Sequence, residues 1–153
     1  MLLDAFDRRI LAALSRDARL SNVDMETEVK LSHSAISRRI ARLEAAGVIE
    51  GYSARINLAA VGLTVRAFVA VTRQASVSAL ALATSLAKIA GVQNSYVATG
   101  DQDVFLEIVA TDLQAFSDLM LLQVQATPGV ATTRSIFIMR ECRPEQSILT
   151  EVI

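Results

Sequence analysis

The sequence predicts an α+β protein with an N-terminal winged helix-turn-helix domain and a C-terminal βαββαβ domain of the ferredoxin-like type. Two observations lead to this prediction. Residues 31–47 place apolar side chains at helical spacing, and shorter helical segments precede them. From Val65 onward, apolar runs typical of strands alternate with helical runs. The change of period indicates two differently built halves.

The chain begins with two short predicted helices. In the first, over residues 3–15, Asp4 is placed to cap the N-terminus. Asp7 adds a second acid to the first turn, where the helix dipole favours negative charge. The predicted buried stripe is Phe6, Ile10 and Leu14, flanked by Leu3 and Leu11. After a polar connection, Ser21 or Asn22 can cap the second helix.

Residues 31–47 are predicted to form the helix that meets nucleic acid. Ser32 stands at the N-cap, where its hydroxyl can accept a backbone N–H, and Gly47 supplies a left-handed stop. Ile36, Ile40 and Leu43 form the core stripe. The candidate DNA contacts are Ser32, His33, Ser34, Ser37, Arg38, Arg39 and Arg42, with Arg39 nearest the apolar edge. A solvated surface would also carry these arginines, but the short helix and tight turn before them favour a helix-turn-helix.

The segment after Gly47 is predicted to form a short two-stranded wing. Val48 and Ile49 are apolar, residues 50–51 can turn, and residues 52–56 alternate. Arg55 on this wing can reach a neighbouring phosphate, although solubility explains its presence equally well.

Composition and charge restrict the class of function. The net charge is −1, with nine Lys/Arg against eight acids in residues 1–60 and six against eight in residues 61–153. DNA binding must therefore come from a local patch repeated by oligomerisation. Cys142 and His33 are the single residues of their types, so we expect no catalytic residue, no metal site and no cofactor. No apolar run approaches the ~20 residues of a membrane span, and charge comes too early for a signal peptide. We therefore expect a cytoplasmic protein without a membrane role.

The second half predicts four strands and two helices. The strands are residues 65–73, 92–99, 104–111 and 130–140, and the helices are residues 77–90 and 112–126. Gly91-Val92 recurs as Gly129-Val130, as expected of a doubled βαβ unit. The runs at 67–71 and 104–110 are apolar on both faces. Because helices can cover only one face, we expect a second copy of the sheet to cover the other in an obligate dimer.

These residues together resemble the Lrp/AsnC family, the feast/famine transcription regulators of bacteria and archaea. The family's opening pattern is matched by Leu3, Asp4, Asp7, Ile10 and Leu11. Its DNA-reading segment is matched by Leu31, Ser32, Arg38, Arg39, Ile40, Leu43, Glu44, Gly47, Val48 and Ile49. The chain departs from the family at Met25-Glu26-Thr27, where a small residue is usual, and at Lys30, where Gly is favoured. A positive φ at Lys30 would cost roughly 1 kcal/mol.

The resemblance implies a division of the chain and a function. Residues 1–57 would be the winged helix-turn-helix DNA-binding domain, residues 58–64 a linker, and residues 65–153 a RAM-type αβ domain for effector binding and oligomerisation. The function implied is a sequence-specific transcriptional regulator that binds double-stranded DNA and responds to an amino acid or a related small molecule. Its dimers would assemble into tetramers or octamers.

The turn at residues 100–103 is the candidate effector site. Its residues are Gly100, Asp101, Gln102 and Asp103, which an ordinary hairpin turn would also contain. In the family, main-chain amides of this loop hold the α-carboxylate of an amino acid, and an acid at the position of Asp103 holds its ammonium. Thr132, Thr133 and Ser135 are candidates to complete the pocket, although polarity is also usual on an edge strand.

Two other functions are compatible with a chain of this pattern. Some proteins that resemble the family over both domains are haem-biosynthesis decarboxylases. Those need polar or basic residues in the αβ domain, whereas this chain has a net acidic second half and no His after His33. The other alternative is a small-molecule-binding assembly module without a DNA role, which the departures at Glu26 and Lys30 keep open.

Overall fold

A computed structural model describes residues 2–142, which form two compact units. Residues 2–55 belong to the first unit, and Ile56–Glu141 is the second. Each unit buries its own apolar cluster. The first is helical and the second is built on a sheet.

Three helices build the first unit: α1 (Ala5–Arg16), α2 (Asn22–Val29) and α3 (His33–Ala45). The predicted cap of α1 is confirmed. The side chain of Asp4 accepts backbone N–H groups of the first turn, and the side chain of Asp7 accepts the backbone N–H of Asp4. Ser21 and Asp24 form the same capping box on α2. The fully buried core consists of Ile10, Ala13, Met25, Val29, Ile36 and Leu43.

The turn between α2 and α3 requires one correction. Lys30 has φ 60° and ψ 45°, the left-handed conformation for which the family favours Gly. Ser32 is the N-cap residue of α3, as predicted, and has extended backbone, but its hydroxyl makes no cap hydrogen bond, so the predicted bond is wrong. The carboxylate of Glu26 accepts the N–H of His33 instead. An ionised carboxylate is the stronger acceptor at a helix N-terminus, which explains the exchange.

The end of α3 agrees with the sequence, whereas the segment beyond it does not. Gly47 has φ 67°, and the N–H of Val48 donates to the carbonyl of Leu43 at 2.9 Å, as in a Schellman motif. The predicted strand pairing of the wing is wrong, because residues 48–57 contain no strand. The side chains of residues 50–57 are all exposed, so their alternation has no apolar face to bury.

The second unit begins with a 3₁₀ turn at Ala59–Val61 and continues with the predicted order βαββαβ, which is confirmed. Its strands are β1 (Val65–Arg73), β2 (Val92–Val97), β3 (Val104–Ala110) and β4 (Val130–Phe137). Its helices are α4 (Ala79–Leu86) and α5 (Leu113–Leu119), and a π-helical turn at Met120–Val124 continues α5. All neighbouring strands are antiparallel in the order β2-β3-β1-β4, the ferredoxin-like arrangement.

Several elements are shorter than predicted. Helix α4 ends four residues before the predicted residue 90, where the chain turns toward Gly91. Strands β2 and β4 end at Val97 and Phe137, where their paired registers with β3 and β1 end. The predicted repeat of Gly91-Val92 as Gly129-Val130 is visible in the backbone, since Gly91 and Gly129 have similar φ values of 97° and 98° just before their strands.

The two faces of the sheet differ in how far they are covered by helices. The face against α4 and α5 is a closed core that contains Ala67, Val69, Val71, Val104, Leu106 and Ile108, all fully buried. The opposite face exposes Phe68 by 41%, Tyr96 by 51% and Ile136 by 45%. An ion pair between Arg66 and Glu107 at 2.7 Å lies on that same face. We call this second surface, defined by Phe68, Tyr96 and Ile136, the open sheet face.

Candidate DNA-binding helix and ligand loop

The polar residues at the start of α3 lie on its solvent side. Ser34, Ser37 and Arg38 are exposed, while Ile36 between them is fully buried. The hydroxyls of Ser32 and Ser34 lie 3.3 Å apart. Within residues 2–142, the side chain of Arg38 has no hydrogen-bond or ion-pair partner. This end of the helix therefore presents hydroxyls and one uncompensated guanidinium to solvent.

The other two arginines of α3 are ion-paired with acids of α1. Arg39 donates from Nη1 to Asp4 at 2.8 Å and to Asp7 at 2.7 Å. Arg42 donates from Nη2 to both carboxylate oxygens of Asp7, at 2.7 Å and 2.6 Å. The side chain of Asp7 is 1% exposed, against 23% for Arg39 and 49% for Arg42. We call these four residues the Asp7 cluster; its two acids and two arginines balance in charge.

The acids of the Asp7 cluster are held ionised. Burial by itself raises the pKa of Asp7, but hydrogen bonds from Arg39, from the backbone of Asp4 and from Arg42 outweigh burial and leave that pKa below its ordinary value. The pKa of Asp4 is lowered chiefly by the N–H of Asp7, and then by the Arg39 guanidinium. The cluster therefore carries paired charges at neutral pH.

Arg39 also covers an aromatic ring. Its guanidinium carbon lies 5.4 Å from the ring centroid of Phe6, and that of Arg9 lies 5.8 Å from the same centroid. Arg39 thus packs on α1 through charge and through its ring contact. This places it between the helices, although the sequence offered it as a DNA contact.

The structural role of Asp7 was missed by the sequence analysis, which treated it as a first-turn acid. A sequence signal was present, because Asp7 falls four residues after Leu3 and three before Ile10, on the apolar stripe of α1. An acid on a buried stripe needs a cationic partner. The run of three arginines on α3 could have supplied one.

The side chains of two further DNA candidates, His33 and Arg55, form no hydrogen bond or ion pair within residues 2–142. His33 is exposed, and only its backbone N–H is engaged, by Glu26. Arg55 is exposed and has no side-chain partner in the described part of the chain. Near it, the hydroxyl of Tyr52 donates to Glu44 at 2.9 Å, which ties the segment after α3 back to that helix. The pKa of Tyr52 is raised by partial burial, and further by the Glu44 carboxylate.

The candidate effector loop connects β2 to β3. Gly100 has φ 117°, and the backbone of Asp103 is fixed by bonds to Ala98 at 2.9 Å and Val71 at 3.0 Å. Among the described residues, the N–H groups of Gly100, Asp101 and Gln102 have no acceptor. Free main-chain donors of this kind suit an anionic group.

The acid predicted to hold an ammonium group already has a cationic partner. Asp103 accepts the backbone N–H of Arg73 at 2.9 Å and its Nε at 3.0 Å. Arg73 also donates from Nη1 to the carbonyl of Val77 at 2.9 Å. Gln102 accepts from Thr72 at 3.2 Å, while Asp101 is exposed. The loop is therefore tied to the end of β1 through both Gln102 and Asp103.

The three β4 candidates fall on different faces. Thr132 pairs in register with Thr72, whose hydroxyl contacts Gln102, so it lies beside the loop. Thr133 and Ser135 point to the opposite face, by the alternation of a strand. Thr133 accepts from the side-chain amide of Gln125 there, at 2.9 Å. The structure thus brings Thr132 near the loop and separates the other two from it.

In residues 2–142 no group of three or more His, Cys, Asp or Glu side chains is arranged to hold a metal ion. No helix in that range is long and apolar enough to cross a membrane.

A helix-turn-helix unit joined to a ferredoxin-like unit defines the class of transcription regulators that carry DNA-binding and ligand-binding domains in one chain. Comparison with known families agrees with this class. Residues 3–50 match winged helix-turn-helix DNA-binding domains, and residues 64–148 match the Lrp/AsnC ligand binding domain. The chain belongs to the Lrp/AsnC family. It is a DNA-binding transcriptional regulator and not an enzyme, which excludes the decarboxylase alternative.

The most similar curated relatives and structures are of the same kind. The chain is 34% identical to the leucine-responsive regulatory protein of Rhizobium meliloti (strain 1021), over 92% of both chains. It is 32% identical to that of Escherichia coli (strain K12), over 96% of this chain and 91% of the other. A transcriptional regulator from Neisseria meningitidis in complex with L-methionine has 31% identity and a TM-score of 0.90, covering 99% of this chain and 100% of its own. The feast or famine regulatory protein of M. tuberculosis, complexed with L-methionine, has 33% identity and a TM-score of 0.89, covering 97% and 99%.

Proposed function

We propose that this regulator recognises specific duplex sequences through α3, acts as a dimer-based oligomer, and responds to an amino acid at the loop of residues 100–103. The observation that carries the DNA-binding part is Arg38, an exposed guanidinium without an internal partner, next to Ser34 and Ser37. A regulator of this kind acts where the DNA is, so we expect it in the cytoplasm.

Different residues of the first unit have different roles in this proposal. Ser34, Ser37 and Arg38 supply contacts to base edges in the major groove, where Arg pairs best with guanine. His33 and Arg55 contact phosphates, which position the protein without reading sequence. Ser32 supports the first turn through its contact with Ser34. Two copies of the helix in a dimer lead us to expect a roughly palindromic site with half-sites spaced by whole turns.

Mobility shift on the regulator's own promoter tests this assignment. We expect Arg38→Ala to abolish the shift at protein concentrations where the wild type binds fully. Lys88→Ala, which removes an exposed cation from the second unit, is the matched control and should bind normally. Arg42 is left intact in this test because it is bonded to Asp7. Normal binding by Arg38→Ala would refute the assigned helix and favour an assembly module without a DNA role.

The open sheet face supports the dimer. Phe68, Tyr96 and Ile136 expose large apolar surfaces there, and the helices of this unit pack on the other face. A second copy of the sheet would bury these side chains in a symmetric interface. The family resemblance adds the expectation that dimers assemble further into tetramers or octamers.

Sizing in solution tests the assembly. We expect Phe68→Glu to shift the protein to monomers at micromolar concentration, because a charge at the centre of the interface would be left without water or a partner. Leu80→Glu on the exposed side of α4 is the control and should keep the dimer. A wild type that is monomeric at micromolar concentration would contradict the proposal.

The effector part rests on the free main-chain donors of residues 100–102 and on Asp103. Two structural relatives with about one third identity are complexes with L-methionine, and the curated relatives are leucine-responsive. In this chain the ammonium of a bound amino acid would share Asp103 with Arg73 or replace it. Binding would shift the assembly or DNA-binding equilibrium only through different affinities for its two states.

Calorimetry with L-leucine and L-methionine tests the effector site. We expect Asp103→Asn to weaken binding about tenfold or more, because it removes the charge that faces the ammonium. Asp101→Asn, an exposed neighbour without a side-chain bond, should change the affinity by less than about threefold. Equal affinities of wild type and Asp103→Asn would place the effector elsewhere.

A further inference from the structure

Arg39 and Arg42 contact the same carboxylate but leave different groups unused. Arg42 bonds to Asp7 through Nη2 alone, and its Nη1 and Nε have no partner within residues 2–142. Its side chain is 49% exposed. Arg39 is 23% exposed, reaches two carboxylates and lies against Phe6. Arg42 therefore keeps donors available to a ligand in solvent, whereas Arg39 is enclosed between the helices.

Arg42 also lies on the side of α3 that holds the unpaired cation. Arg38 and Arg42 are four residues apart, so their side chains project from neighbouring turns of one face. With Arg38 at base edges as proposed, Arg42 on the next turn of the same helix would face the DNA backbone. Its phosphates offer acceptor oxygens to a guanidinium N–H that is not already bonded.

We propose that Asp7 is a positioning residue for DNA binding, which holds Arg42 by Nη2 so that its free Nη1 donates to a DNA phosphate. The inference rests on the proposed function of α3 as the DNA-binding helix. In this arrangement Arg42 bridges the buried acid of α1 to the nucleic-acid backbone.

The advantage of such a bridge is pre-organisation. A free arginine loses side-chain freedom when it binds a phosphate, and that loss weakens binding. Asp7 does not move, because it is buried and its oxygens accept bonds from Arg39, Arg42 and the backbone of Asp4. Arg42 is thus already oriented in the free protein. Lysine is a poorer replacement, since its ammonium lacks the separate, fixed nitrogens with which a guanidinium bonds Asp7 and a phosphate at the same time.

A double-mutant cycle on the full-length protein tests the bridge. The probe is a fluorescent duplex selected by the wild type from a random-sequence library, and anisotropy gives the affinity at about 0.15 M salt. We expect Arg42→Gln to weaken binding about fivefold per head, the loss of one phosphate contact. In the Asp7→Asn background the same change should have less than half that effect. Arg39→Gln should leave the affinity within about twofold of the wild type once the folded fraction is matched.

Three results would overturn the bridge. The first is an unchanged affinity in Arg42→Gln, and the second is an equal loss with and without Asp7. The third is a loss of affinity in Arg39→Gln as large as in Arg42→Gln. If Arg42→Gln is not folded at the assay temperature, Arg42→Lys decides instead: it should bind less tightly than the wild type, and wild-type affinity would refute the bridge. Arg38→Gln separates the two proposals, because an unchanged affinity there refutes α3 as the DNA-binding helix itself.

Discussion

Two aspartates, one in each unit, are paired with arginine, but their surroundings differ. Asp7 is enclosed between α1 and α3 and binds two guanidinium groups of α3. Asp103 lies at a hairpin tip, is 27% exposed, and pairs with one arginine at the end of a neighbouring strand. A buried acid with two partners fixes how two helices pack. A half-open acid with one partner can exchange that partner for a ligand.

The ion pairs at Asp7 reduce the net charge of the proposed DNA-binding helix, α3. Residues 38–42 look like a basic ridge in the sequence, yet two of their three arginines are neutralised by α1. Electrostatic attraction to DNA is therefore weaker per subunit than the sequence suggests. Repetition of the helix in the proposed oligomer would therefore be more important for affinity.

The largest expected effect is on stability at Asp7. We expect Asp7→Ala to lower the free energy of unfolding of the first unit by about 3 kcal/mol, because it removes the buried acid of the cluster and leaves Arg42 unpaired and Arg39 with Asp4 alone. Urea denaturation followed by circular dichroism measures the change. Asp103→Ala is the counterpart in the second unit, where the pair is open to solvent, and should cost less than about 1 kcal/mol. Equal losses at the two sites would contradict the comparison.

The second prediction concerns pH. The pKa of Asp7 is lowered in the folded chain, so its contribution to stability is complete above its unfolded pKa of about 3.9 and is lost as the pH falls through the lower folded value. Asp7→Asn cannot titrate there. The stability difference between wild type and Asp7→Asn should therefore be largest near neutral pH and shrink below about pH 4. Thermal unfolding at a series of pH values measures it, and a constant difference would show that folding does not lower the pKa of Asp7.

The smallest effect is expected at Arg73. Arg73→Gln leaves Asp103 without its cationic partner, so the ammonium of an amino acid no longer has to compete with Arg73 for that carboxylate. We expect the affinity for the amino acid to rise by about two- to fivefold, which corresponds to the interaction free energy of a solvent-exposed ion pair. Calorimetry with the amino acid that binds the wild type measures the change. A loss of affinity would mean that Arg73 helps to hold the ligand.

The sequence predicted the second unit well because its signals are local. Alternating strands, apolar helices and the recurrent Gly-Val steps are sufficient to specify βαββαβ. The misses in the first unit come from contacts between segments distant in sequence. Glu26 reaches across the turn and replaces the predicted Ser32 bond, and Asp7 binds arginines more than thirty residues away. The prediction of a two-stranded wing was wrong for a different reason. Alternation of apolar and polar residues does not by itself form strands where no apolar face is buried.

The central claim is that the three arginines of α3 differ in their access to DNA: Arg38 is free, Arg42 is shared and Arg39 is enclosed. The salt dependence of DNA affinity tests it most directly, because the slope of log K against log salt counts neutralised phosphates. We expect Arg42→Gln to make the slope shallower by about 0.9 per head, Arg38→Gln to weaken binding with a smaller change of slope because it contacts base edges, and Arg39→Gln to leave the slope unchanged. A slope that falls equally for all three variants, or for none, would contradict the account.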